Sequence, residues 1–204
     1  MDYTIVVSTA GNTNEDFLTA LSRQLPKDLR AHTRRVATVA NVMAEQAEKS
    51  ELMPYTHSLW MGGFYHHIGE TLEQKNKEQI PLLNEQILRE NADLLAEEQN
   101  TNVDIVLDIA RHHCERVDGS GYPDGLCGNA VSLAARLVGI ADKLDQFLSD
   151  KNGSLEDHVT QTLQYMETFG ESLFGKDAIM CFDNAKDEIL DLYLNHKKRI
   201  QDWT

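Results

Sequence analysis

Residues 111–126 read RHHCERVDGSGYPDGL. The run puts two histidines, Cys114 and Glu115 directly before a loop with three glycines in seven residues. Imidazole, thiolate and carboxylate are the side chains that hold transition ions. The glycines and the Tyr122-Pro123 step stop a helix and let a second backbone or a ligand come close. The chemistry this composition suits is that of a held cation beside a stiffened loop.

Further imidazoles and carboxylates stand at matching places on other segments. His32 lies on the apolar stripe of a helix, with Asp28 one turn earlier on the same face. His66 and His67 end the apolar pattern of a second helix, and His113 closes a third, one turn beyond Ile109 and Ala110. Asp142 stands within the stripe of a fourth, with Asp145 one turn on. Burying such groups is costly unless they pair with one another or bind metal. Two readings follow: a cation site, where imidazole with carboxylate favours Mn, Fe, Zn or Ni over Ca, or a set of His–Asp hydrogen bonds in a polar core. His112 points about 100° away from His113 and is not read as a ligand. Glu115 and Asp118 either orient ligands or cap the loop's own N–H groups. His57, His158 and His196 fall outside these patterns and are expected to face solvent.

The elements that must position these groups are helical almost throughout. Thr13 or Asn14 can cap a short helix through Phe17, Leu18, Leu21 and Leu25. Pro26 suits the first turn of a long second helix whose stripe is Leu29, His32, Val36, Val39, Met43 and Ala47. A third helix is expected over 56–68, with Gly62-Gly63 leaving room for close packing and Gly69 ending it. Further helices follow over 81–99, 103–113, 133–148 (capped by Ser132), 154–169 and 176–201. The only strand-like run, Thr4–Val7, is too short to build a sheet. The fold class is all-α, with an N-terminal extension over 1–25 and a single domain over 26–201.

Composition narrows the function. The 204 residues, 41% apolar, suffice for one sizeable core. A net charge of −14 repels a phosphate polymer, which excludes a general nucleic-acid binder, although bound cations can admit a small anionic substrate. No apolar run approaches a membrane span, no secretory signal is evident, and three cysteines without CxxC spacing point to a reducing cytoplasm.

The chain resembles the HD-GYP family of bacterial cyclic di-nucleotide phosphodiesterases. The resemblance rests on HTRRVA around His32, HHIGE from His66, HCERVDGSGYPDGL from His113, IADKLD from Ile140, and FGESLF, which is similar to the family's closing segment. It runs from about Leu29 to the C-terminal helix, and DGSGYPDGL is its most specific string. It implies an HD-domain helical core extended by two C-terminal helices. It also implies two or three iron or manganese ions that hydrolyse cyclic di-GMP. Carried over by position, the ligands would be His32, His66, His113 and Asp142, with Asp28 in place of a family glutamate. Gly121 and Tyr122 would shape the nucleotide pocket.

Several family positions differ here. The aspartate of the His-Asp pair is His67, which offers one lone pair where a carboxylate can bridge two ions. A lysine becomes Glu70, the second histidine of His-His-Glu becomes Cys114, and no histidine lies between Glu70 and Arg111. The basic pair that holds nucleotide phosphates is reduced to Lys151, with Ser154 at the second position. His32, His66, His67, His113, Cys114 and Asp142 could satisfy one ion, whereas two would need a bridge that only Asp142 supplies. The expectation is an altered centre with fewer ions than the family's, Fe or Mn before Zn or Ni, with His66, His67 and Asp142 at the reacting position. Its substrate would be a cyclic di-nucleotide or another small phosphoester. The alternative is an inactive signalling module that binds a protein partner or a cyclic nucleotide without cleaving it.

Overall fold

A computed structural model of the chain describes residues 16–49, 56–72, 76–150 and 152–195. All of its regular elements are helical: α1 (Phe17–Ser22), α2 (Lys27–Lys49), α3 (Thr56–Tyr65), α4 (Ile80–Glu90), α5 (Ala92–Glu97), α6 (Val103–His112), α7 (Leu133–Leu148), α8 (Leu155–Phe174) and α9 (Lys176–Asn195). The fold is all-α. Thr4–Val7, the caps Thr13 and Asn14, Lys151, His196 and the end of the last expected helix lie outside the described residues.

Two apolar clusters hold the helices, and the candidate ligands fall between them. One joins α2, α7, α8 and α9 around Val36, Met43, Leu137, Ile140, Phe174 and Ile189. The other joins α1, α3, α4, α5 and α6 around Leu18, Leu21, Ile68, Leu88, Leu95 and Val106. Helix α7 is buried on nearly every face, as expected of a helix whose apolar residues run all round it. Ser132 caps it, accepting from Ala135 N–H at 3.1 Å. Asp16, not Thr13 or Asn14, caps α1 through Thr19 N–H at 2.9 Å.

Helix α3 is where backbone approach matters most. A Cβ added at Gly63 would stand 2.9 Å from Ala37 Cα of α2, and one at Gly62 would stand 2.6 Å from Ile109 Cδ1 of α6. The glycine pair therefore lets α3 lie close to both neighbours, so the end of α3 delivers His66 and His67 beside α2 and α6.

Several boundaries differ from expectation. Helix α3 stops at Tyr65, and Gly69 sits inside a 3₁₀ turn (Ile68–Thr71) instead of ending the helix. Its N–H donates to Asn84 Oδ1 at 2.7 Å, and a Cβ there would collide with that oxygen. The expected 81–99 helix is broken at Asn91, whose side chain donates back to Ile87 O at 2.8 Å. Helix α8 runs five residues past Phe169, because Gly170 admits Ile179 of α9 instead of breaking the helix. The reversal comes at Gly175, with φ of 82°. His158 is buried, correcting its expected exposure; its Nε2–H donates to Asn152 O at 2.7 Å. His57 is half-buried, with its ring stacked on Trp60.

Candidate metal centre

Three helices bring imidazoles to one place, and a fourth brings a carboxylate. His32 projects from α2, His66 and His67 follow the end of α3, and His113 closes α6. The ring centroids of His32 and His66 are 5.3 Å apart, those of His66 and His67 4.2 Å, and those of His66 and His113 5.1 Å. Asp142 enters from α7. One potential ligand atom each from His32, His66, His67 and Asp142 lie within 4.8 Å of one another.

The hydrogen bonds assign the lone pairs. His66 is fully buried, and its Nδ1–H donates to Gly63 O at 2.6 Å, since a carbonyl can only accept. Its Nε2 is therefore an unprotonated acceptor, buried and without a partner. His67 Nδ1 is likewise buried without a hydrogen bond; Glu70 Oε1 stands 3.9 Å away, too far to provide one. Unpaired buried nitrogens are costly in a folded chain, and both rings belong to the cluster that holds Asp142 and His32. Three imidazoles with one carboxylate form a donor set that suits a divalent transition ion, so these residues fit a metal.

Asp145 positions His32 from behind. Its carboxylate accepts from His32 Nδ1 at 2.7 Å, Arg35 Nε at 2.6 Å, Tyr193 Oη at 2.6 Å and Ser149 Oγ at 2.9 Å. His32 Nε2 is thereby directed at Asp142 Oδ1, 3.2 Å away. Burial works against charge on His32, but the bonds to Asp142 and Asp145 outweigh it and raise its pKa to about 9. Burial drives His66 and His67 well below the ordinary imidazole value, and neighbouring imidazoles add to the effect. Burial would raise the Asp142 carboxyl, yet hydrogen bonding and charge from His32 carry it far below the usual range. Of the three imidazoles it is thus His32 that favours the charged, doubly protonated form, and a cation would compete with its extra proton.

The remaining expected site residues divide into two groups. His113 is buried, with Nδ1–H donating to Ile109 O at 3.0 Å; burial opposes its charged form, but the Cys114 thiol beside it favours that form and raises its pKa. It packs on His66 without joining the group of four. Cys114 also meets the Tyr122 hydroxyl and stands outside the group; burial opposes its ionisation, but His113 outweighs this and lowers the thiol's pKa. Asp28 is exposed, near the start of α2 where the buried stripe has not begun, and it too stands apart from the four.

The signature loop is fastened by its own flanking residues. Glu115, 1% exposed, accepts from the N–H groups of Asp124 at 2.6 Å, Gly125 at 3.0 Å and Leu126 at 3.0 Å. Arg111 holds Asp124 through Nε at 2.7 Å and Nη2 at 2.8 Å. His112 bridges Asp108 and Asp124, pointing away from the centre as its helical position requires. Gly121 lies so close to the backbone of Glu115 and Arg116 that a Cβ would come within 2.4 Å of it. Loop capping is thus the role of Glu115, and Asp118 likewise accepts from Ser120 N–H within the loop, at 2.9 Å. Ser154, expected at a phosphate position, caps α8 through Asp157 N–H.

Sequence reasoning missed Asn84. It is fully buried on α4, donates to His66 O and Ala110 O, and accepts from Gly69 N–H. A single amide thus ties the turn carrying His66 and His67 to α6. The available signal was its placement one turn from Ile80, Ile87 and Leu88 on an otherwise apolar face.

A model of the HD domain matches residues 18–177. The chain belongs to the HD-domain family. It is 23% identical over 190 residues to a cyclic di-GMP phosphodiesterase of Thermotoga maritima, covering 89% of this chain and 51% of that protein. It is 51% identical over 57 residues to the cyclic di-GMP phosphodiesterase response regulator RpfG of Xanthomonas campestris pv. campestris, covering 28% and 15%. It is 53% identical over 38 residues to the 3'3'-cGAMP-specific phosphodiesterase 1 of Vibrio cholerae, covering 19% and 9%. The chain therefore spans about half or less of the length of these curated relatives. The HD-domain core and the GYP loop together make it an HD-GYP-like member. Among the described residues, no helix is long and apolar enough to cross a membrane.

Proposed function

We propose that this chain is a metal-dependent phosphohydrolase of HD-GYP type that acts on a cyclic dinucleotide, with a centre of fewer cations than the family's full set. The observation that carries this reading is the convergence of His66 and His67, each with a buried, unpartnered ring nitrogen, with His32 and Asp142. His32, His66, His67 and Asp142 would hold the ion, with iron or manganese proposed before zinc or nickel. A divalent cation supplies Lewis acidity toward a phosphodiester and lowers the pKa of water. Asp145 keeps His32 aimed, Asn84 fixes the His66–His67 turn, and the loop fastened by Glu115 would border the nucleotide with Gly121 and Tyr122. The names of the relatives support the substrate class. Three free thiols, Cys114, Cys127 and Cys181, fit a reducing cytoplasm.

A second reading has its own support. The Glu70 carboxylate lies 3.9 Å from His67 Nδ1, and its negative charge beside the centre would oppose a phosphate. That arrangement favours a module that binds a cyclic nucleotide or a signalling protein without cleaving phosphate. Anaerobic reconstitution with Mn or Fe, followed by elemental analysis and chromatography of cyclic di-GMP, separates the two. Hydrolysis predicts linear dinucleotide from the wild type and none from His66→Ala or Asp142→Ala. Bound metal without turnover, but with retained cyclic di-GMP, supports the binding module. Absence of bound metal rejects the hydrolase.

A further inference from the structure

Two cavities open side by side away from the metal centre. The first, about 290 Å³, is lined by Arg23, Arg30 and Arg34 together with Thr19, Ser22 and Thr33, and Phe64 closes one wall. The chain has 33 acidic residues against 19 basic ones, yet none of the described residues that line this cavity carries a carboxylate. Arg30 is fixed in place: its Nη1 donates to Arg23 O at 2.7 Å and Leu25 O at 2.9 Å. Its Nε and Nη2 donors remain for a ligand. Arg34 lies one turn further on the same face of α2 and makes no ion pair with any described residue. The three hydroxyls donate elsewhere, to Asp16, Thr19 O and Arg30 O, so the guanidinium groups of Arg30 and Arg34 hold the donors left for an anion.

The second cavity, about 330 Å³, shares Thr19 and Phe64 with the first and is walled by aromatic rings. Phe64 and Trp60 stack 5.1 Å apart at 8°, and His57 stacks on Trp60 at 6.2 Å and 4°. His57 Nε2 is buried there without a hydrogen-bond partner. An arginine-lined hollow adjoining an aromatic one matches the two ends of a nucleotide, since guanidinium forks suit phosphate and ring faces suit a base.

We propose that the two cavities form one nucleotide site, with phosphate against Arg30 and Arg34 and the base against Phe64 and Trp60. Arg30 and Arg34 each stand two positions from His32, about 200° round α2, so this site lies on the opposite face of that helix from the metal ligands. It is separate from the reacting centre and independent of the phosphohydrolase reading.

The test is calorimetric titration of the full chain with GMP, guanosine and inorganic phosphate, in the wild type and in Asp142→Asn, Arg34→Glu and Phe64→Leu. The expected result is one GMP per chain, bound at least about tenfold more tightly than phosphate or guanosine, and unchanged in Asp142→Asn. Arg34→Glu should weaken GMP about tenfold or more, and Phe64→Leu about fivefold or more while sparing phosphate. Unchanged melting of Arg34→Glu, whose side chain is not paired, keeps that variant informative. GMP binding that is absent to millimolar concentration, insensitive to Arg34→Glu, or abolished in Asp142→Asn overturns the proposal, as does phosphate binding as tightly as GMP.

Discussion

Glu115→Gln tests whether one carboxylate holds the signature loop. Glu115 Oε1 accepts from Asp124 and Gly125 N–H, and Oε2 accepts from Leu126 N–H, in a site 1% exposed. A glutamine can keep its oxygen at the first position, but its NH₂ then faces the Leu126 N–H, donor against donor. Hydrogen bonds to a charged acceptor contribute about 1.5–3 kcal/mol each against about 0.5–1.5 for neutral ones, so two weakened bonds cost about 2 kcal/mol together. The stranded Leu126 N–H adds about 1–3 kcal/mol. A total near 3–5 kcal/mol lowers Tm by roughly 6–15 °C in a domain of this size. Urea denaturation and thermal melting read this out. Elemental analysis should show metal content preserved, because none of the four converging residues belongs to the loop. A cost under about 1 kcal/mol, or metal lost in proportion to stability, would refute the argument that the loop is held independently of the centre.

Other perturbations have equally definite outcomes. Gly63→Ala puts a Cβ 2.9 Å from Ala37 Cα, and this overpacking should cost about 1–3 kcal/mol and weaken metal binding, seen by melting and by equilibrium dialysis. Asn84→Ala strands the buried His66 O and Gly69 N–H, and should destabilise by about 2–4 kcal/mol while lowering metal occupancy; a stable variant with full occupancy would deny the amide its role. Because Asp142 and Asp145 raise His32 to about 9 against its burial, its proton stabilises the metal-free fold fully below the ordinary value of 6.5, and that contribution is lost as pH rises through 9. A cation competes with this proton, so apparent metal affinity should rise about tenfold per pH unit from 7 to 9 and then flatten; affinity independent of pH would exclude His32 as a ligand.

The helical class, most helix positions and the residue types at the centre are legible in the sequence, because apolar spacing and histidines at helix ends are local properties. The sequence also separates His112 from His113, since 100° per residue is fixed by helix geometry. Which candidates meet depends on packing between helices. Asp28 sits on the correct face of α2 but too near its exposed start, and Cys114 is turned toward His113 and Tyr122. The roles of Asp145, Asn84 and Glu115 depend on partners up to 113 residues away in the chain, as in the Asp145–His32 bond. The convergence of His32 with His66 and His67 depends on how closely α3 approaches α2, which Gly63 against Ala37 sets. Helix spacing of that kind arises from packing between distant segments, and no local pattern encodes it.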